Sequence, residues 1–270
     1  MSITATPASL NAPNPPRPLA LVTGGARRIG REIVLELAAH GWDVALHCHR
    51  SFSAAEQTAA EARALGAQAE VFCVDLADAT ACETLVPAVL LRCGRLDAVV
   101  NNASLFEFDD VANFSAQTLD RHWRANTMPA ILLARALHEH LVARGAQGCV
   151  VNLLDQKLAN PNPDYLSYTL SKAALEAANT LLAQALAPAL RVCAVSPGVT
   201  LLSGPMTADE FTAAHQLTPL QRSSTPADVA RAVRFLLESP AITGATLLVD
   251  GGQHLQAQPR DVLFLAQDKK

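Results

Sequence analysis

The stretch Leu-Ala-Leu-Val-Thr-Gly-Gly-Ala-Arg-Arg-Ile-Gly, residues 19–30, decides the fold of this 270-residue chain. Its first four residues are apolar and predict a buried strand, and a glycine-rich turn follows over residues 23–30. Ile29, Ile33 and Leu37 then recur at the spacing of one helix face. Strand, turn and helix together present backbone N–H groups and a helix N-terminus to an anion, which suits a pyrophosphate.

The same alternation of apolar strands and helices continues along the chain. Strands that are apolar throughout and alternate with helices predict a parallel sheet covered on both faces. We therefore predict an α/β fold, a single doubly wound Rossmann-type parallel sheet with helices on both faces. The predicted strands are 19–22, 43–48, 70–74, 96–101, 148–154, 191–195 and 246–249, and the predicted helices begin near 29, 53 (with Ser53 and Glu56 as a capping box), 80, 115, 168 and 225 (with Thr225 as N-cap).

The domain boundaries follow from composition. Residues 1–17 are rich in proline and are predicted to be a disordered lead-in. Residues 18–258 are predicted to form one domain, and residues 259–270 a tail. The long irregular stretch 201–222 is a candidate lid over the site because of its position and polarity.

Composition excludes several classes of function. The net charge is -4 and the basic residues are scattered, so no nucleic-acid-binding surface is expected. No apolar stretch approaches the roughly 18 residues of a spanning helix, and the first residues do not resemble a secretory signal. Six cysteines without a metal-ligand spacing are expected to be reduced thiols, mostly small buried hydrophobes. We expect a cytoplasmic protein.

The end of the second strand indicates which nucleotide would bind. It reads His47-Cys48-His49-Arg50-Ser51, a little over 20 residues after the glycine-rich turn. Proteins that bind NAD usually place an acid here, whereas a cation suits the 2′-phosphate of NADP. No acid is present and Arg50 can offer two donors, which favours NADP. A metal site at His47 and His49 is the alternative, without a third ligand nearby.

Polar side chains that could take part in chemistry lie at the ends of strands four and five. Asn101, Asn102 and Asp155 stand at those ends, followed by Tyr168 and Lys172. On a helix the last two project from one face, so the ammonium is expected to lower the pKa of the phenol and make it a proton donor.

These motifs together resemble the short-chain dehydrogenase/reductase family, from about Pro18 to Leu255. The combination is specific because the motifs occur in the family's order, each at a strand end or on a helix. The matching motifs are T-G-x-x-x-x-x-G at 23–30, Asp75, N-N-A at 101–103, Asn126, Y-x-x-x-K at 168–172, P-G at 197–198 and T-G-A-T-L-L-V-D-G-G at 243–252.

Two departures from the family pattern resemble its pteridine reductase branch, including the bacterial dihydromonapterin reductases. Arg28 replaces the middle glycine of the turn, and Asp155 replaces the usual catalytic serine, 13 residues before Tyr168. Phe106 follows N-A-S-x as in that branch. The resemblance implies reduction of a pterin C=N bond by NADPH, with dihydropterins as the expected substrates and dihydrofolate as a further candidate.

The resemblance assigns roles by position. Tyr168, Lys172, Asp155 and Asn126 are expected to be catalytic, with Asn126 supporting Lys172 through a water. Substrate contacts are expected from Arg28, Phe106, Asp155 and Tyr168, and no metal is expected. The expected cofactor contacts are Gly24, Arg28, Ile29, Gly30, His47, His49, Arg50, Ser51, Asp75, Leu76, Asn102, Ala103, Ser104, Tyr168, Lys172, Pro197 and Gly198.

Two other functions stay open at this point. A carbonyl reductase of the same family would act on a ketone or 3-oxoacyl substrate. A non-catalytic NADP-binding protein is the second alternative, against which the intact Tyr168, Lys172 and Asn126 argue. Family members are usually tetramers, so a homotetramer that binds a small molecule, and neither nucleic acid nor a membrane, is expected.

Overall fold

The computed structural model describes residues 16–203 and 206–267. In these residues seven parallel strands form one sheet in the order β3-β2-β1-β4-β5-β6-β7. The prediction of a doubly wound parallel sheet is confirmed. The strands are β1 (Leu19–Val22), β2 (Asp43–Cys48), β3 (Ala69–Cys73), β4 (Ala98–Asn101), β5 (Gly148–Leu153), β6 (Leu190–Pro197) and β7 (Thr246–Val249).

Helices cover both faces of the sheet. One buried apolar cluster lies under α1, α2 and α8, and a second lies under α3 and α5. The central strands are buried on both sides, which explains their uninterrupted apolar sequences. The helices are α1 (Arg28–Ala39), α2 (Phe52–Ala64), α3 (Ala79–Cys93), α4 (Ala116–His122), α5 (Met128–Arg144), α6 (Leu166–Ala185), α7 (Ala208–Gln216), α8 (Pro226–Glu238) and α9 (Val262–Gln267).

Strand order reverses between β1 and β4, and this reversal positions the site. β1 pairs with β2 on one side and with β4 on the other. The chain leaves neighbouring strands toward opposite faces there, which opens a crevice at their carboxyl ends.

Several local predictions were wrong. Ser53 is inside the first turn of α2 and Ser51 is the N-cap, without a side-chain bond, so the predicted capping box does not form. The long helix over 115–144 is interrupted by one wide turn with π-helical bonding, Trp123–Thr127. Thr225 was correctly predicted, and its side chain accepts from the Asp228 N–H.

The structure differs from the predicted segment boundaries at both ends of the domain, and the predicted lid contains a helix. Residues 1–15 of the predicted lead-in lie outside the described residues, and Arg17 belongs to the domain because it donates to the Ala38 and Gly66 carbonyls. The predicted lid contains α7, which Thr207 caps. The predicted tail contains α9, whose Leu263 is buried.

Candidate active site

Two connected hollows occupy the carboxyl ends of the strands. The outer cleft, about 950 Å³, lies over the β1–α1 turn and the ends of β2 and β3. The inner cavity, about 230 Å³, lies over the ends of β5 and β6 and against the C-terminal segment. The residues that line both are Arg28, Ile29, Asn102, Ser104, Phe106, Tyr168 and Ser203.

The β1–α1 turn is packed so closely that only glycine fits at Gly30. A Cβ there would lie 2.2 Å from the Gly24 carbonyl oxygen and 2.6 Å from Asn102 Nδ2. Asn102 Nδ2 donates to the Thr23 carbonyl at 2.9 Å, and the Ala103 N–H donates to Thr23 Oγ1 at 3.0 Å. The end of β4 therefore clamps the turn, and Thr23, which sequence analysis did not single out, is the centre of this clamp.

The N-terminus of α1 opens onto the outer cleft. No side chain caps it, and Ile29 and Gly30 line the cleft. The first N–H groups of a helix have no partner within the helix, and the helix dipole favours an anion beside them. A cofactor pyrophosphate fits this uncapped turn.

The side chain of His47 holds the β1–α1 turn in place through a hydrogen bond to its backbone. Its Nδ1 accepts from the Gly24 N–H at 3.2 Å and its Nε2 is 2.9 Å from the Val74 carbonyl oxygen, to which it donates as the neutral Nε2–H tautomer. Burial lowers the pKa of His47, which favours this neutral form. Both ring nitrogens are occupied, so His47 is available neither to a metal nor as a cation for phosphate.

Two of the arginines that line the outer cleft have guanidinium groups available to a ligand. Arg50 and Arg27 are exposed, and neither guanidinium makes a hydrogen bond or ion pair with the described part of the chain. His49 Nε2 is 3.8 Å from Asp75 Oδ2 across the ends of β2 and β3, and Ser51 lies beside them. Sequence analysis selected Arg50 but missed Arg27. Leu76 is buried in the core and lines neither hollow.

Arg28 adopts the left-handed backbone conformation that favours glycine. Its φ is 55°, a region that costs a non-glycine residue about 1 kcal/mol or more. Its guanidinium donates to the Leu202 carbonyl at 2.9 Å and to Ser203 Oγ at 3.1 Å. Arg28 thus bridges from the turn to the start of the predicted lid and stands where the two hollows meet.

Tyr168, Asp155 and Lys172 form the reactive group of the inner cavity. The Tyr168 hydroxyl donates to Asp155 Oδ2 at 2.8 Å. Lys172 Nζ donates to the Leu153 carbonyl at 2.6 Å and is 5.8 Å from the centre of the Tyr168 ring. β5 supplies the carboxylate, and one face of α6 supplies the phenol and the ammonium.

The expectation of a lowered tyrosine pKa was wrong. Burial, followed by the adjacent Asp155 carboxylate, raises the pKa of Tyr168 well above its usual value. Burial also raises the pKa of Asp155 and lowers the pKa of Lys172 to about 8. Because the phenol faces a carboxylate rather than the ammonium, Tyr168 and Asp155 form a pair that holds protons tightly.

Asn126 holds the loop after β4 rather than touching Lys172. Its side chain lies in the wide turn before α5, accepts from the Leu105 N–H at 2.7 Å and donates to Ser171 Oγ at 2.9 Å. It is buried and lines neither hollow. In this structure Asn126 is a positioning residue for Ser104 and Leu105.

Phe106 belongs to an aromatic cluster that sequence analysis missed. Its ring stacks on Tyr165 at 4.3 Å and meets Tyr168 edge-on at 4.7 Å. Phe108 contacts both Tyr165 and Phe264, which joins the cluster to the C-terminal segment. Phe106 remains 42% exposed and lines both hollows.

The C-terminal segment forms one wall of the inner cavity. Asp261, Val262 and Leu263 line it. The buried Asp164 carboxylate accepts from the Asp261 N–H at 2.7 Å, and Lys157 Nζ is 3.4 Å from Asp261 Oδ2. Sequence spacing gives no signal for this wall because its parts lie about a hundred residues apart.

Pro197 and Gly198 are brought to the inner cavity rather than to the outer cleft. A Cβ at Gly198 would lie 2.5 Å from Ser223 Oγ, so the backbone of Gly198 packs closely against the residue that follows the predicted lid. Within residues 16–203 and 206–267 no group of three or more potential ligands could hold a metal ion. No helix in that part of the chain is long and apolar enough to cross a membrane.

Comparison with known proteins gives a consistent set of relatives. Residues 24–254 match the sequence model of a family described as enoyl-(acyl carrier protein) reductase. The crystal structure of FolM alternative dihydrofolate reductase 1 from Brucella canis, complexed with NADP, is 40% identical with a TM-score of 0.83, covering 90% of this chain and 97% of that one.

Two curated relatives suggest different substrates. Pteridine reductase 1 of Leishmania tarentolae is 31% identical over 90% of this chain and 98% of its own length. The protein assigned as ketoacyl reductase 2 of the granaticin polyketide synthase in Streptomyces violaceoruber is 37% identical, over 89% of this chain and 98% of its own length. Identity alone therefore does not choose between a pterin and a ketone.

Proposed function

The chain belongs to the short-chain dehydrogenase/reductase family and is an oxidoreductase, and from this premise we propose that it reduces a C=N bond of a pterin with NADPH. The observation that carries the proposal is the carboxylate of Asp155 at 2.8 Å from the Tyr168 hydroxyl. A heterocycle with N–H donors matches this carboxylate, whereas a ketone oxygen would meet charge of the same sign there. The dihydrofolate reductase and pteridine reductase relatives support this choice.

NADPH fits the outer cleft. The uncapped α1 terminus and the turn at Gly24 would hold the pyrophosphate, and Arg50 with Arg27 would hold the 2′-phosphate. Tyr168 and Lys172 would hold the ribose beside the nicotinamide, by the family's pattern. When bound, the cofactor supplies the hydride.

The residues of the chain orient the substrate and manage its proton. The exposed part of the Phe106 ring offers a surface for a flat heterocycle. Tyr168 donates its proton to the substrate nitrogen, and Asp155, which accepts from the Tyr168 hydroxyl, helps to hold or relay that proton. Burial raises the pKa of Asp155, so its carboxyl group takes up a proton more readily than an exposed one. Lys172 stabilises the negative charge that develops on the phenol oxygen.

The test compares substrates and variants by the loss of NADPH absorbance. We expect the wild-type protein to turn over a dihydropterin faster than dihydrofolate or a β-ketoester. Asp155→Ser should lower kcat on the dihydropterin by about 100-fold, within the ~10²–10⁴ range of a lost proton-transfer group. NADH serves as the control cofactor.

Other results point to the alternatives. Turnover of the β-ketoester alone, unchanged or improved in Asp155→Ser, would identify a carbonyl reductase. Tight NADPH binding without turnover of any substrate would identify a non-catalytic binding protein.

We also propose that the protein is a homotetramer assembled through α4, α6 and the last strand. Trp123 and Leu170 are exposed on the face formed by α4, the wide turn and α6, and Leu181 is exposed further along α6. Leu248 on β7 is exposed as well. Light scattering of the purified protein tests this, and a monomer mass would contradict it.

A further inference from the structure

Two cysteines lie side by side where β2 and β3 end. Cys48 and Cys73 are register partners in this parallel pair, and their Sγ atoms are 3.0 Å apart. Neighbouring strands lie roughly 4.8 Å apart, and a disulfide joins Cα atoms separated by about 4.4–6.8 Å. The backbone spacing and the direction of both side chains are therefore those that a disulfide needs.

The two thiols differ in access to solvent. Cys73 is exposed, whereas Cys48 is buried and lines the outer cleft. Burial and the neighbouring Cys73 raise the pKa of Cys48 to about 12. Since the thiolate is the reactive form, the exposed Cys73 is the thiol that an oxidant in solution reaches first. Cys73 does not follow the expectation that the cysteines are mostly small buried hydrophobes, because it is exposed.

The described part of the chain contains a second pair of neighbouring cysteines, which are not register partners and which lack this access. Cys149 and Cys193 contact each other across β5 and β6, and both are buried in the core under α8. A soluble oxidant cannot reach them while the domain is folded. They provide an internal control for reactivity that depends on exposure.

We propose that Cys48 and Cys73 form a reversible disulfide when the protein meets a peroxide, and that this bond weakens cofactor binding at the outer cleft. Formation of the disulfide is independent of the proposed function, whereas its effect on cofactor binding rests on the proposed function. Exposed disulfides have less reducing potentials than buried structural ones, which favours reversal by a thiol reductant.

The oxidation balances in two steps. The Cys73 thiolate attacks one oxygen of hydrogen peroxide, so that an S–O bond forms, the O–O bond breaks and water leaves, giving a sulfenic acid. The Cys48 thiolate then attacks the Cys73 sulfur, an S–S bond forms, the S–O bond breaks and a second water leaves. Two thiols lose two electrons and two protons, and one peroxide becomes two waters.

We expect the disulfide to change the outer cleft because Cys48 directly precedes residues that line it. The Sγ atoms must approach from 3.0 Å to about 2.05 Å, a movement of roughly 1 Å. The residues directly after Cys48 are His49, Arg50 and Ser51, which line the outer cleft. The Val74 N–H also donates to the Cys48 carbonyl at 3.1 Å, so the two strand ends move together.

The experiment treats the full chain with excess hydrogen peroxide and then measures thiols, mass and NADPH affinity. Of the six thiols, we expect two to disappear under denaturing titration and a crosslinked peptide to join Cys48 with Cys73. The Kd for NADPH, from its fluorescence, should rise about tenfold, below the ~100-fold that a 1 Å displacement can cost. Dithiothreitol should restore both the two lost thiols and the original Kd for NADPH.

Variants separate the two steps. Cys48→Ala should accumulate a sulfenic acid at Cys73 that dimedone traps. Cys73→Ser should keep its NADPH affinity through peroxide treatment, and Cys193→Ala should form the crosslink as the wild type does. Six remaining thiols, or a crosslink at other cysteines, would overturn the disulfide. A Cys48–Cys73 crosslink with unchanged Kd would overturn the link to the cofactor, whereas reduced protein that binds no NADPH would instead refute the proposed function.

Discussion

The two hollows of the site are built in different ways. The outer cleft is formed by short chain segments, and its shape is set mainly by their closely packed backbone, as at Gly24 and Gly30. The inner cavity is walled by side chains from segments far apart in the sequence, including 153–157, 197–201 and 261–263. A local motif can therefore reveal the first kind of surface, whereas only the folded chain assembles the second.

Replacing Tyr168 with Phe gives the largest expected effect. Loss of the hydroxyl removes the proton donor, so kcat should fall about 1000-fold, within the ~10²–10⁴ range for such groups. The Kd for NADPH should rise by only about two- to tenfold, as expected for the ~0.5–1.5 kcal/mol of one lost ribose contact, because the proposed contacts to the pyrophosphate and the 2′-phosphate remain.

Tyr165→Phe is the matched control. It keeps the ring that stacks on Phe106 and removes a hydroxyl that makes no hydrogen bond with the described residues. Steady-state kinetics of both variants tests the comparison. An equal loss of kcat in the two would mean that the proton comes from elsewhere.

Arg50→Ala should weaken cofactor binding in the outer cleft without changing the inner cavity. Removing a charge-assisted contact to the 2′-phosphate should raise the Kd for NADPH by about 10- to 100-fold, as expected for ~1.5–3 kcal/mol. Binding of NADH should be unchanged, because it has no 2′-phosphate. Fluorescence titration with both cofactors measures this, and an equal loss for both would refute the assigned role.

Leu263→Ala should weaken substrate binding in the inner cavity and leave cofactor binding in the outer cleft unchanged. The side chain is buried in the inner wall, and shortening it should raise the KM for the pterin about tenfold, the scale of a hydrophobic pocket change. The Kd for NADPH should not move. Leu265→Ala, on the same helix but outside the wall, is the control. If both variants behave alike, the C-terminal segment contributes stability rather than specificity.

The smallest effect concerns pH. Lys172, with its pKa lowered to about 8, is protonated below that pH and loses its charge above it. kcat/KM for NADPH should therefore be level below about pH 7, fall through pH 8 and be about fourfold lower at pH 8.5 than at pH 7. The phenol does not cause this decline, because the pKa of Tyr168 is well above its usual value. Leu263→Ala should keep the same profile, and a flat profile in the wild type would contradict the role of Lys172.

Particular residues show how far the sequence could be interpreted. The strand bounds 19–22, 43–48 and 246–249 were predicted without error, because apolar runs between turn residues mark buried parallel strands. The capping box at Ser53 failed, because the helix begins two residues earlier than the motif suggests, with Ser51 as its N-cap. His47 was assigned to the cofactor, yet its two ring nitrogens bind the Gly24 N–H of the turn and the carbonyl of Val74, which follows β3.

The sequence by itself determined the parallel sheet, the place of the crevice and the presence of Tyr168, Lys172 and Asp155 in it. These follow from periodicity and from spacing along one strand or helix, which are properties of nearby residues. The tertiary structure decided which groups face each other: the phenol against a carboxylate, Phe106 against Tyr165, and the C-terminal segment against Asp164. Burial and pKa depend on those distant neighbours, because desolvation and charge act through space rather than along the chain.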